Sequence, residues 1–169
     1  MFETGDWVIH PAYGAGIVIE IKETHTLGRA RRYYSIQLLG QPETIVMVPV
    51  GTAEEIGLRC PIARSKLTRV WRILRSDPKT LPSKHDERYA MLKEKLHAGD
   101  AFKLAEVLRD LAWRREEKRR LTLRGKRLYD EGMMLLSSEI ASAQGSDVDA
   151  AQDQILRTLS QSLYSSTAV

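Results

Sequence analysis

The sequence is poor in the residues that support disulfides, metal clusters and membrane spans. Its 169 residues include a single cysteine, Cys60, which excludes an internal disulfide and a cysteine-based zinc cluster. No apolar run reaches the roughly 18 residues that a membrane helix requires. The first six residues contain neither a basic nor an apolar segment, which argues against secretion. We therefore expect an intracellular, cytoplasmic protein with no membrane partner.

The motifs of common enzyme classes are also missing. There is no phosphate-binding loop and no nucleophile elbow, and the four histidines are not spaced as a metal-ligating pair. The segment Tyr13–Gly16 is rich in glycine but leads into a strand, so it predicts a tight turn rather than a phosphate site. Cys60 stands before Pro61, where we expect a small buried apolar residue. We expect no catalytic residues, metal, cofactor or small-molecule substrate; a nuclease using scattered carboxylates is the least favoured alternative.

Charge is distributed unevenly along the chain. Residues 1–60 hold five Lys and Arg against seven Asp and Glu, a net charge of −2. Residues 61–128 hold 20 against nine, a net charge of +11, and residues 129–169 hold one against six, a net charge of −5. A basic middle between acidic ends indicates a polyanionic partner for the middle of the chain. The alternative is a solvated helical face that the acidic ends balance.

The first sixty residues have the pattern of a small β-structure. Alternating or β-branched runs predict strands, and glycine and proline supply the turns between them. The predicted strands cover residues 6–10, 17–21, 31–38 and 44–48. In the second of them, Ile17, Ile19 and Ile21 share one face at a period of two. Four or five short antiparallel strands predict a small barrel of the SH3 or Tudor kind.

After Pro61 the hydrophobic period changes to that of helices. A short helix is predicted around Leu67–Leu74, and a second begins after Ser83 and ends near Gly99. Three more are predicted to begin after N-cap residues Asp100, Thr122 and Asp147. The fold class is therefore α+β, a barrel domain over residues 1–60 followed by an all-α domain over 61–164. Residues 165–169 are expected to form a frayed tail.

A dense basic run follows the third long helical pattern. Residues 113–127 contain eight cations, which can neutralise several phosphates in a contact that is strong but blind to base sequence. The alternative is that these cations complement the dipole at a helix C-terminus. Trp113, which opens the run, is either a stacking or wedge residue or part of the core.

Taken together, these segments resemble the CarD/CdnL family of bacterial transcription regulators. The similarity spans about residues 3–145, and its motifs lie in both halves of the chain. The barrel motifs are Gly5-Asp6-x-Val8, Pro11-x-Tyr13-Gly14-x-Gly16-x-Val18, Tyr33-Tyr34, Val48-Pro49 and Gly57-Leu58-Arg59. The helical motifs are Arg88-Tyr89, Leu96-x-x-Gly99-Asp100 and the segment Leu104–Leu111.

The resemblance implies a role for each domain. In the family, the Tudor-like domain binds the RNA polymerase β subunit by strand pairing at a barrel edge. The matching polymerase-binding residues are Thr44, Ile45, Val46, Met47, Val48 and Pro49, with Arg31 and Arg32 as polar support. The helical domain contacts promoter DNA in the minor groove at the upstream edge of the melted bubble, where a Trp wedge stabilises the open complex. This implies a nucleoid-associated protein in the cytoplasm.

The sequence departs from the family pattern at the wedge. The family motif W-x-R-R-Y-K corresponds to residues 85–90, where His85 replaces the Trp, Glu87 an arginine and Ala90 the lysine. Glu87 is repulsive towards phosphates, so we expect weaker or differently placed DNA contact. The predicted DNA-binding residues are His85, Arg88, Arg114, Arg115, Lys118, Arg119 and Arg124.

Two further functions remain open from the sequence. One is a divergent polymerase-binding paralogue that lacks the wedge and depends on its basic helices or on another protein. The other is an RNA-binding barrel, because Tyr13-Gly14-x-Gly16-x-Val18 is also similar to turns in ribosome-associated barrels.

Overall fold

The N-terminal domain is a curled antiparallel sheet. The computed structural model describes residues 1–166, apart from the side chains of Thr26 and Ser166. Its four strands lie in the order β1-β2-β3-β4, and all three neighbouring pairs are antiparallel. The strands are β1 (Trp7–His10), β2 (Gly14–Thr26), β3 (Arg29–Leu38) and β4 (Ile45–Pro49). The sheet forms a half-barrel, which confirms the predicted Tudor-like fold.

A β-bulge and one short bridge give the sheet its curvature. The register between β2 and β3 shifts between Val18 and Glu20, so Ile19 is the extra residue and is exposed. The bulge makes Val18 the buried residue, and the predicted shared face of Ile17, Ile19 and Ile21 is therefore wrong. Beyond β4, the Arg59 backbone pairs with Ile9 of β1 and extends the curl. The enclosed core contains Val8, Val18, Tyr34, Ile36, Val48, Ala53 and Leu58.

The β2–β3 hairpin is longer than the sequence pattern indicated. The two strands pair as far as Thr26 and Arg29, and Leu27 and Gly28 form the tip with positive φ angles of 53° and 73°. Strand β1 pairs only with residues 14–17 of β2, and β4 only with residues 33–37 of β3. Residues 22–32 therefore project from the barrel as a two-stranded arm.

Six α-helices are assigned in the described part of the chain, and three begin at the N-caps predicted from sequence. The Asp100 carboxylate accepts a hydrogen bond from Phe102 N at 2.8 Å, and the Thr122 hydroxyl accepts one from Gly125 N at 3.2 Å. The Asp147 carboxylate accepts one from Ala150 N at 2.7 Å. The helices are α1 (Ala53–Ile56), α2 (Leu67–Arg75), α3 (His85–Leu96), α4 (Ala101–Lys118), α5 (Leu123–Gln144) and α6 (Val148–Ser166).

Two predictions at the ends of the domains need correction. Residues 165 and 166, predicted to fray, belong to α6, while residues 167–169 of that predicted tail lie outside the described residues. Cys60 is exposed and not buried, because it lies in the short connection that follows the Arg59 bridge. None of the described helices is long and apolar enough to span a bilayer.

The helical domain has one continuous core, with α4 and α5 at its centre. These two helices pack against each other, and α2, α3 and α6 also contact them. Their interface is filled mainly by leucines, with little aromatic content. Fully or almost fully buried members are Leu74, Leu92, Leu96, Leu108, Leu111, Leu136, Ile140 and Ile155.

A buried ion pair joins the two domains. Arg59, at the end of the barrel, donates two hydrogen bonds to the Glu139 carboxylate of α5, at 2.6 and 2.8 Å. The same carboxylate accepts a hydrogen bond from Ile62 N at 2.9 Å, and its side chain has no solvent exposure. Beside it, Ser138 Oγ accepts a hydrogen bond from Ala15 N of β2 at 3.0 Å. We call these contacts of Arg59, Ile62, Glu139, Ser138 and Ala15 the interdomain clamp.

Backbone shape at Gly14 allows this approach. Its φ angle is +79°, and a Cβ atom at this position would lie 2.3 Å from Ser138 Oγ. Glycine is therefore required both for the left-handed conformation and for the contact between β2 and α5.

Removal of the Arg59 guanidinium should destabilise the whole protein. We expect Arg59→Met to lower the free energy of unfolding by about 3 kcal/mol, because the buried Glu139 carboxylate loses its cationic partner. Urea unfolding measures this change. Arg32→Met, which removes an exposed arginine from the arm, should change stability by less than about 0.5 kcal/mol. The double variant Arg59→Met/Glu139→Gln should regain part of the loss; equal stability of both arginine variants would contradict the role of the clamp.

Candidate interaction surfaces

Strand β4 forms a free edge of the sheet. It pairs with β3 on one side, and within the described part of the chain no strand pairs with its other side. Val48 points into the barrel core, whereas Ile45 and Met47 are 52% and 44% exposed. The Ser35 hydroxyl of β3 donates a hydrogen bond to Met47 Sδ at 3.2 Å, which orients the Met47 side chain on the outer face of the sheet. An edge with unpaired main-chain groups and two exposed apolar side chains is a template for strand addition.

The predicted polymerase-binding residues do not all lie on this edge. Thr44 precedes β4 and closes the turn, since its carbonyl accepts a hydrogen bond from Leu38 N and its amide donates one to Gln41 O. The last β3–β4 pair joins Tyr33 to Pro49, so Arg31 and Arg32 continue past the end of β4. Both arginines are exposed on the arm, opposite Thr24 and Glu23. The two arginines therefore flank the Pro49 end of β4, whereas Thr44 lies at the opposite end of this strand.

The basic run lies around the C-terminal end of α4. The helix ends at Lys118, and Arg119 follows in a left-handed conformation with a φ angle of 66°. The Arg115 guanidinium lies over the ring of Tyr129 at 4.9 Å from its centre. Burial raises the pKa of the Tyr129 phenol, so this group stays neutral beside the cations. Arg115, Arg119, Arg120 and Lys126 line a cleft of about 310 Å³, with Leu121, Tyr129 and Asp130.

The starts of α3 and α5 meet and bring two predicted DNA-binding residues together. The His85 side chain is 48% exposed, and its ring packs on Tyr89 with 4.5 Å between centres. Arg124 lies over the same tyrosine ring at 5.2 Å and pairs with Asp86 at 3.3 Å. The hydroxyls of Tyr89 and Thr122 are hydrogen-bonded, which fixes the two helix starts relative to each other.

Arg88 lies inside the fold and not on the predicted DNA-binding surface. It is only 5% exposed, and its Nη1 donates hydrogen bonds to the carbonyls of Pro82 and Ser83, each at 3.0 Å. As the fourth residue of α3, it reaches back to the loop that precedes the helix. Arg88 therefore holds this loop in place, and we do not retain it as a DNA contact.

Sequence reasoning missed a groove between the loop of residues 78–83 and the second half of α4. Trp113, for which the sequence allows either a stacking or a core role, is half-buried at this groove. We call it the α4 groove; its volume is about 860 Å³. Its lining consists of Pro78, Lys79, Thr80, Leu81, Pro82, Ser83, Arg88, Asp110, Trp113, Arg114, Glu116, Glu117, Lys118 and Arg119. A tryptophan that begins a basic run was the sequence signal that could have indicated it.

Both domains match known family models. Residues 2–60 match the CarD-like/TRCF RID domain, and residues 69–156 match the CarD C-terminal domain. A Bacillus subtilis (strain 168) protein with the name "Putative transcription factor YdeB" is 30% identical over 147 residues. This similarity covers 86% of the present chain and 94% of the Bacillus protein. The resemblance found in the sequence is thus confirmed, and the chain belongs to the CarD family of transcription factors.

Proposed function

We propose that this protein is a transcription regulator that binds the RNA polymerase β subunit through the β4 edge. In this proposal the helical domain contacts promoter DNA at the upstream edge of the bubble and modulates the stability of the open complex. The observation that carries the proposal is the free β4 edge with Ile45 and Met47 exposed on it. The match of residues 2–60 to the RID domain supports a polymerase partner in general.

Strand addition explains what each part of the edge contributes. Main-chain groups of an added strand pair with those of β4 and supply affinity without regard to sequence. Alternate side chains supply specificity, and here these are Ile45 and Met47. Arg31 and Arg32, exposed past the Pro49 end, can contact acidic groups of the partner beyond the paired strand.

A charge on the outer face of β4 should block polymerase binding. We expect Met47→Glu to weaken binding to the isolated β lobe about thirtyfold, the effect of losing about 2 kcal/mol at a central apolar contact. The strand fold should persist, because Met47 projects from the barrel. Affinity is measured by titration of labelled full-length protein with the β lobe.

Leu123→Glu is the matched control, since Leu123 is an exposed aliphatic residue at the start of α5 in the other domain. It should bind the β lobe with unchanged affinity. Undiminished binding by a folded Met47→Glu variant would remove the β4 edge from the proposal.

The interdomain clamp adds a geometric argument for DNA contact. With Arg59 and Ala15 of the barrel held to adjacent residues of α5, a polymerase-bound barrel would deliver the helical domain at a fixed position. A tethered second contact gains from high effective concentration, so weak phosphate contacts can suffice. Arg114, Arg115, Lys118, Arg119 and Arg124 are the proposed phosphate contacts.

Loss of cations from the end of α4 should reduce the salt dependence of DNA binding. We expect Arg114→Ala/Arg119→Gly to lower the slope of log K against log salt concentration by about 1.8, or about 0.9 for each lost phosphate contact. Glycine is chosen at position 119 because the φ angle there is 66°, which glycine adopts without strain. Binding of a duplex promoter fragment between 50 and 200 mM salt measures the slope.

Lys93→Ala/Lys103→Ala removes the same charge from exposed positions on α3 and α4 away from the basic run. This control should retain the wild-type slope. Equal slopes for the two double variants would show that the cations of the basic run are solvated surface groups that do not contact phosphates.

One observation at α3 favours the second candidate function, a polymerase-binding paralogue that has lost the wedge. Glu87 stands in the first turn beside His85 and pairs with Lys84 at 3.3 Å, so an acid lies where the family has an arginine. The main proposal, in which His85 acts as a smaller wedge, predicts the opposite: His85→Trp should lengthen the lifetime of the open complex several-fold, because a larger apolar ring inserts better at an unstacked step. His85→Ala should shorten this lifetime. Filter-retention assays of polymerase–promoter complexes measure both, and a lifetime that neither variant changes would favour the wedge-free paralogue.

A further inference from the structure

We propose that the α4 groove binds one unstacked nucleotide of single-stranded DNA, with the base against Trp113 and the phosphates on Arg114 and Arg119. The inference deepens the proposed function, because it assigns a ligand to part of the same basic surface. It adds a binding site for a base, whereas the proposed function involves only contacts with phosphates on this surface.

The groove has the size and wall chemistry of a nucleotide site. Its volume of about 860 Å³ lies within the range of roughly 300–1,000 Å³ that is typical of small-ligand sites. Apolar surface comes from Pro78, Leu81, Pro82 and the indole of Trp113. Stacking of a base on an aromatic side chain is strong and tolerant of base identity.

Unpartnered polar groups are concentrated at this groove. Arg88 Nε, Asp110 Oδ2 and Trp113 Nε1 are buried without a hydrogen-bond partner among the described residues, and all three residues line the groove. Arg109 Nη2, next to Asp110, is a fourth such atom. Buried polar groups normally have partners because an unmet one costs free energy. Of these atoms, the Trp113 donor and the Asp110 acceptor complement the mixed donor and acceptor edge of a nucleobase.

Charge at the rim favours a polyanion. Lys118 lies 3.6 Å from Glu117, whereas Arg114 and Arg119 have no ion pair within residues 1–166. The groove also contains acidic Asp110, Glu116 and Glu117, against five basic residues. Arg119 lines both this groove and the basic cleft beside Tyr129, so cations continue from one to the other. A strand whose base enters the groove can therefore continue along the cleft with its phosphates paired.

The loop that forms the outer wall is held in place from α4. Lys79 N donates to Asp110 Oδ1 at 3.0 Å, and the Lys79 ammonium pairs with Glu106 at 3.2 Å. Lys95 of α3 pairs with the same carboxylate at 2.8 Å. Burial would raise the pKa of Glu106, but the two lysines bring it below its ordinary value, so this carboxylate is charged at neutral pH. The groove is thus largely formed before a ligand binds.

Trp113 should be required for single-stranded DNA but not for duplex DNA. We expect Trp113→Leu to weaken binding of the full-length protein to fluorescein-labelled dT15 about tenfold, within the range for loss of one stacked base. Affinity for a 15-base-pair duplex should change less than twofold, because the phosphate contacts remain. Trp7→Leu removes an exposed tryptophan of the barrel and should change neither affinity. Fluorescence anisotropy at low salt measures all of these.

A second measurement leaves the groove intact and serves if Trp113→Leu does not fold. In the variant Trp7→Phe/Trp71→Phe, Trp113 is the sole tryptophan, and we expect dT15 to quench its fluorescence at the concentrations at which anisotropy reports binding. Met47→Glu should bind dT15 normally, so loss of polymerase binding and loss of the nucleotide site are separate results. Absence of quenching, equal losses for single-stranded and duplex DNA in Trp113→Leu, or tighter binding of rU15 or of an acidic peptide would each overturn the proposal.

Discussion

The arrangement of the two domains depends on one buried carboxylate. Glu139 is enclosed in the helical domain, where an isolated charge would cost several kcal/mol. It is accommodated because Arg59 reaches it from the end of the barrel and Ile62 N from the connection between the domains. The charge can be satisfied only when barrel, connection and α5 are assembled together. The ion pair therefore specifies one relative position of the domains.

A fixed arrangement of the two domains allows two interaction surfaces to act together, although each by itself would bind its partner weakly. The β4 edge offers main-chain pairing and two apolar side chains, while the basic end of α4 offers contacts that are screened by salt. Because the clamp holds the two domains together, binding at one surface raises the effective concentration of the partner at the other surface. In the proposed function, this coupling allows the helical domain to act on DNA with a histidine, and not a tryptophan, at position 85.

The helical domain also shows how a basic residue can serve the fold and not a ligand. Arg88 looks like a phosphate contact in a sequence, but it bonds to the carbonyls of Pro82 and Ser83 and fixes the loop before α3. Lys79 and Lys95 fix the other part of this loop through Glu106. Arg88 and Lys79 line the α4 groove together with Arg114 and Arg119, but only the last two have no ion pair or carbonyl partner within residues 1–166.

Local features of the sequence determined the number and order of the strands, the caps at Asp100, Thr122 and Asp147, and the basic run, because periodicity, capping and charge act over a few residues. The tertiary structure decided the rest. The bulge at Ile19, the exposure of Cys60, the burial of Arg88 and the pairing of Arg59 with Glu139 all depend on contacts between distant segments. The α4 groove likewise exists only where residues 78–83 meet α4. Residue spacing along the chain does not indicate these contacts, because they depend on how distant helices and strands pack against one another.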